Sequence, residues 1–306
     1  MINRLLIRIK ATQLTYACLQ SEERMYADEK LMEAIEASQK LYNFLLALIV
    51  KVTDYRQGQI DTAKAKWLPT EADLNPNLRL VENRVARLIR EASEVVQNCH
   101  DEGLTSDFDT ELYRSLLESI EQNEAYQAYC QQPEAPTFAQ DKELWAELLA
   151  SVFAQNEKLD EVMEERNIYW NDDLSTVLQT LIRDIKQLRP ATEILTSVKT
   201  FKNDEDRQFA LDLFHRSIEE YYDNVRLINT VAPNWEAERM ALMDKVIMSC
   251  ALTEIRNFPD IAVAISINEY IELAKHYCSP NSARFINGVL DRIVKQWRND
   301  GTIVKR

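Results

Sequence analysis

Two clusters of side chains in this 306-residue chain have types and spacings that could act on an anion. Arg4 and Arg8 lie four residues apart, so on a helix they share a face, where two guanidiniums can fork onto phosphates or stand as solvated helix charges. Near the other end, Lys275, Asn281, Ser282 and Arg284 bracket the start of a predicted helix, whose free amides and positive dipole end suit a phosphate. Phe285 and Asn287 follow. The ring fits a stacking platform or a core position, and the amide can read a base edge. Tyr16 has the same two options, stacking on a base or packing inward.

Catalytic constellations are missing by spacing. The glycines are Gly58, Gly103, Gly288 and Gly301, the nearest two thirteen positions apart, so no dinucleotide loop, Walker A loop or nucleophile elbow can form. Glu164 and Glu165 are adjacent and diverge on a helix, and Asp212-x-x-His215 is at most one arm of a di-iron motif that needs two. His276 and Cys278, two apart, point to different sides of a helix. The five cysteines (Cys18, Cys99, Cys130, Cys250, Cys278) are odd in number and widely spaced, which predicts reduced thiols in a cytoplasmic protein rather than a disulfide framework or a zinc site. The expectation is a protein that is not an enzyme and holds no cofactor or metal.

Charge narrows the choice of partner. The net charge is −14, yet residues 1–20 carry Arg4, Arg8 and Lys10 and no acid, and residues 271–306 carry seven Lys/Arg against three acids. The middle holds 26 Lys/Arg against 47 Asp/Glu. An acidic body repels nucleic acid, but two basic ends that met in space would form a local phosphate-binding patch.

The elements that must position these residues read as helices from end to end, an all-α chain. Apolar residues recur at three and four through Leu31, Ile35, Leu41, Leu45, Leu48 and Val52, through Leu144, Leu148, Val152, Leu159 and Met163, and through Leu211, Phe214, Ile218, Tyr221, Val225 and Ile228. Breaks are predicted at 68–77, 103–109, 132–136, 189–190, 202–204, 232–234 and 258–260. The longest apolar run, Phe44 to Val50, is far shorter than the ~20 residues a membrane span needs, and Arg8 interrupts the apolar start, so neither a membrane helix nor a signal peptide is expected. Ser266-Ile267-Asn268-Glu269 reads as a capping box, and Ser279-Pro280 as a second helix start, with Gly301 as the stop of the last helix. Gly288 falls mid-helix, where it costs ~1 kcal/mol relative to alanine; either another backbone crosses there or a ligand does.

Residues 267–275 (INEYIELAK) followed by 285–291 (FINGVLD) resemble the C-terminal signature of the NusB antitermination family. Asn234-Trp235, Arg239, Asp244 to Ile247 and Glu254-Ile255 are similar to the helix pair before it, and Phe209 to Ile228 to the helix before that. Arg4, Arg8, Ala11, Gln13 and Tyr16 resemble the family's opening helix, with Leu5 and Leu6 where members often carry further arginines. The resemblance covers about residues 1–20 and 205–300. It implies a NusB-like helical bundle built from 1–20 plus 205–306, separated by a large helical insertion of unknown role over 21–204, as in longer forms of the Bacteroidetes type. RNA methyltransferases also carry such a domain, but the scattered glycines exclude their cofactor loop.

The resemblance further implies a function. NusB pairs with the ribosomal protein NusE and grips the single-stranded boxA element of ribosomal RNA leaders. It joins other Nus factors on RNA polymerase, suppresses termination and aids ribosomal RNA maturation. On that basis Arg4, Arg8, Tyr16, Lys275, Asn281, Ser282, Arg284, Phe285 and Asn287 are the expected RNA contacts, while Asp244 and Glu254 match positions facing NusE. The first helix is then expected beside the last two, bringing Arg4 and Arg8 to Lys275 and Phe285. The competing reading is a helical scaffold that has lost RNA binding and acts through its acidic insertion.

Overall fold

A computed structural model gives the architecture. It describes residues 4–21, 27–92, 97, 99–100, 103–106, 109–170, 172–189, 200–201, 203–232 and 240–303, which form fourteen α-helices, one 3₁₀ turn and no strand. In chain order α1 (Arg4–Gln20) and α2 (Ala27–Lys64) precede the short α3 (Glu71–Leu74) and α4 (Arg84–Glu91). Next come α5 (Thr110–Gln122), α6 (Glu124–Gln131), α7 (Phe138–Ser151), α8 (Glu157–Arg166) and α9 (Leu174–Gln187). The last five are α10 (Asp204–Glu219), α11 (Tyr221–Val231), α12 (Leu242–Asn257), α13 (Val263–Tyr277) and α14 (Ser282–Asn299). No helix among the described residues is long and apolar enough to cross a membrane.

Two of the predicted stripes cross helix ends that no proline or glycine marks. The Leu144–Met163 stripe is cut after Ser151, where a 3₁₀ turn (Phe153–Gln155) leads to Asn156. The Asn156 side chain accepts the Leu159 N–H at 2.9 Å and its amide donates to Ser115 Oγ at 3.0 Å, so a buried cap starts α8. The stripe from Leu211 to Ile228 is likewise cut at Glu220.

The chain divides into two compact units, residues 36–200 and residues 2–35 with 201–306. In the first, residues 41–50 of α2 are buried on every side, as an all-round apolar helix must be. Phe44 stacks on Trp170 at 5.3 Å, and Trp170 Nε1–H donates to the Ala37 carbonyl at 2.8 Å. Around α7 gather α4, α6 and α9. The division falls inside α2 rather than after α1: Asp28, in the first turn of α2, meets His215 of α10 at 2.5 Å.

The second unit is organised by α12, which packs against α1, α10, α11, α13 and α14. Every residue from Val246 to Ile255 is buried, including Ser249, Thr253 and Glu254. Buried polar groups must be paired: Asn224 of α11 donates to Ser249 Oγ at 3.2 Å and Thr253 Oγ1 at 3.0 Å. The main partners of α1 are α10 and α12 rather than the last two helices.

Two helix starts differ from the sequence expectation. α13 begins at Val263, so Ser266 lies a turn inside it, and its hydroxyl donates to Glu254 Oε1 at 2.7 Å instead of capping. α14 begins at Ser282 after Asn281, two residues past Pro280; the Ser282 N–H closes a turn on the Ser279 carbonyl at 2.9 Å. Gly301 ends α14 as expected, with φ +76° and the Ile303 N–H bonded back to the Trp297 carbonyl at 3.2 Å.

Candidate nucleic-acid interface

The two arginines of α1 have separate fates. Arg4 sits beside the first turn of α10, its Nε donating to Asp206 Oδ1 at 2.8 Å and its guanidinium lying 4.9 Å over the Phe209 ring. Its side chain stays 41% exposed and opens on a surface groove that also holds Phe258, Asn257 and Asp260.

Arg8 is 3% exposed. Its Nε and Nη2 donate to the two oxygens of Glu254 at 2.8 and 2.9 Å, and Glu269 lies 3.5 Å from Nη1. Glu254, fully buried, also accepts from Ser266 and, at 3.3 Å, from Tyr270. Burial pulls the Arg8 pKa down, but the Glu254 hydrogen bond and charge outweigh it and the net shift is upward. The phosphate contact expected of Arg8 and the partner contact expected of Glu254 are therefore corrected together. Each is the counterion of the other, and neither reaches solvent.

The same correction applies to Ser282 and Asp244. Both are buried, and Ser282 Oγ donates to Asp244 Oδ2 at 3.1 Å, tying the start of α14 to the start of α12. Burial, then Asp244, pushes the nearby Cys278 thiol far above its ordinary range. All five cysteines are unbridged.

The remaining expected residues are accessible. Lys275, Asn281, Arg284 and Asn287 are exposed, and Tyr16 and Phe285 are half-buried. Lys275 pairs with Glu272 at 2.5 Å, an exposed contact of little energetic weight. A pair that sequence reasoning left unconnected joins α1 to this end of α13. Gln13 Nε2 donates to Tyr277 Oη at 3.1 Å, and Tyr16 lies one turn further along the same side of α1. Arg4 and Tyr16 stand about 120° apart around the α1 axis at 3.6 residues per turn. The chemistry of α1 is thus split between an Arg4 side at α10 and a Gln13–Tyr16 side at α13.

Gly288 belongs to the exposed surface of α14, and no described residue lies within 4 Å of where its Cβ would stand. Among the described residues, no neighbouring backbone explains this mid-helix glycine. Asn234, Trp235 and Arg239 lie outside the described residues.

Comparison with known proteins agrees with the sequence resemblance. The family model described as the NusB family matches residues 184–295, which include α10 to α13 and most of α14 and leave out α1. The chain is 31% identical over 137 residues to a transcription antitermination protein NusB of Salinibacter ruber, covering 44% of this chain and 86% of that protein. It is 36% identical over 107 residues to the protein of that name from Agathobacter rectalis, 35% of this chain and 82% of the relative. With the Koribacter versatilis protein of that name it shares 40% identity over 93 residues, 30% of this chain and 64% of the relative. No solved structure matches the chain.

Proposed function

The chain belongs to the NusB family, and from that premise we propose that it is a transcription antitermination factor, which binds boxA-type single-stranded RNA of ribosomal RNA leaders together with NusE. The RNA-binding module in this reading is the unit of residues 2–35 and 201–306, with 36–200 as an insertion. The role is non-catalytic and acts in the cytoplasm. Recognition and docking with NusE, and through it with other Nus factors and RNA polymerase, favour continued transcription and ribosomal RNA maturation.

The observation that carries this reading is the Gln13–Tyr277 hydrogen bond, which sets the exposed side of α1 against the end of α13. Lys275, Asn281, Arg284 and Asn287 are exposed around the α13–α14 junction, with half-buried rings at Tyr16 and Phe285. Single-stranded RNA recognition needs this combination of cations for phosphates, amides for base edges and rings for stacking. Arg4 contributes from the flank, while Arg8, Ser282, Asp244 and Glu254 hold the frame.

The test is fluorescence anisotropy with labelled leader RNA, with and without purified NusE. Weak binding alone, tightened by NusE, is expected. Lys275→Ala with Arg284→Ala should lower affinity and flatten the salt dependence, because fewer counterions are released. No binding under either condition overturns the reading in favour of a scaffold acting through its acidic insertion.

A further inference from the structure

The outward face of α14 poses a problem that the fold does not solve. At 3.6 residues per turn, Arg284, Asn287, Gly288, Asp291, Lys295 and Arg298 fall within a stripe about 100° wide, and all six are exposed. The stripe lies opposite the buried face of Ile286, Val289, Leu290, Ile293, Val294 and Trp297. A solvated helix face is ordinarily filled with good helix formers that pair with one another. Here Arg284, Lys295 and Arg298 make no ion pair or side-chain hydrogen bond with any described residue. Gly288, in the middle of the helix, pays the helix penalty with no described residue close to it.

We propose that single-stranded RNA continues past the α13–α14 junction and runs down this face, its backbone passing close over Gly288 with phosphates at Lys295 and Arg298. The inference rests on the RNA reading above and extends that site along α14. The chain as a whole carries −14, so three cations without an ion pair among the described residues form, on one helix face, a local attraction against the general charge. Gly288 supplies what a phosphodiester backbone needs to approach a helix closely, the absence of a side chain, and Asn287 beside it offers a donor and an acceptor. At 1.5 Å per residue, Lys295 and Arg298 stand about 10 and 15 Å beyond Gly288. That separation makes a second point of contact rather than a widening of the first. Asp291 lies between the two points, where its carboxylate opposes the track.

The experiment measures binding of three RNAs to the full chain with NusE. One is the leader element alone, and the others are the same RNA lengthened by about six nucleotides at its 5′ or its 3′ end. Binding of the short RNA tests the function itself; its failure ends both proposals. Given that binding, one of the lengthened RNAs should bind about tenfold more tightly than the short one. Lys295→Gln with Arg298→Gln should remove that gain and leave the short RNA unaffected, while Asp291→Asn should enlarge it. Gly288→Ala should weaken RNA binding without lowering the melting temperature, since alanine favours the helix and meets no neighbour. Equal affinity for all three RNAs, or Gly288→Ala binding like the parent, overturns the inference.

Discussion

Arg8 and Glu254, 246 positions apart in the sequence, meet through two hydrogen bonds 2.8 and 2.9 Å long. Their union fixes the first helix to the last turn of α12. With Ser266 and Tyr270 donating to the same carboxylate, the buried charge is fully satisfied. A satisfied buried pair adds little net stability but is costly to break. Arg8→Ala should cost about 3–5 kcal/mol in urea unfolding. Arg8→Lys should recover only part, because an ammonium cannot fork onto two oxygens. An unchanged unfolding midpoint with lost RNA affinity would return Arg8 to the RNA.

Alkaline pH tests the same cluster. Burial, and next the Glu254 charge, holds the Tyr270 phenol well above its ordinary value near 10. Folded protein therefore keeps a proton that the unfolded chain releases. The stabilising contribution is complete below about pH 10 and is lost as pH rises from there through the folded value. Tyr270→Phe should be about 1 kcal/mol less stable near neutrality, one donor to Glu254 having gone. Its deficit should shrink between about pH 10 and 11. Parallel pH curves for the two proteins would show that this phenol does not titrate on unfolding.

In the unit of residues 36–200, the test falls on Asn156. It caps α8 and also donates to Ser115, so Asn156→Ala should destabilise by about 1–2 kcal/mol, read from the urea midpoint. Asn156→Asp keeps the cap acceptor and should lie between the two. A midpoint equal to the parent's for Asn156→Ala would mean that the break between α7 and α8 is set by packing alone.

Helices and most of their ends were legible because apolar spacing and proline act locally: α6 stops before Pro133, α12 before Pro259, and Gly301 turns the chain after α14. Ser266 was misread because a Ser-x-x-Glu signature does not reveal that the helix started one turn earlier, nor that Glu254 would claim the hydroxyl. Glu254 itself looked like a surface acid, since charged side chains are rarely buried without a partner. Its partner lay at the other end of the sequence, beyond any local pattern. Arg4 and Tyr16 were grouped because they share a helix; the fold uses different sides of it.

The seating of α1 on α10 and α12 also constrains synthesis. Its last residue, Gln20, leaves the ribosome long before Asp204 is added. At about 5–20 residues per second that delay is roughly ten to forty seconds. Throughout it Leu6, Ile7, Ile9 and Leu14 have nowhere native to go. A nascent chain in this state is a natural client for a holdase, and the RNA-binding surface cannot mature before α13 and α14 have been made.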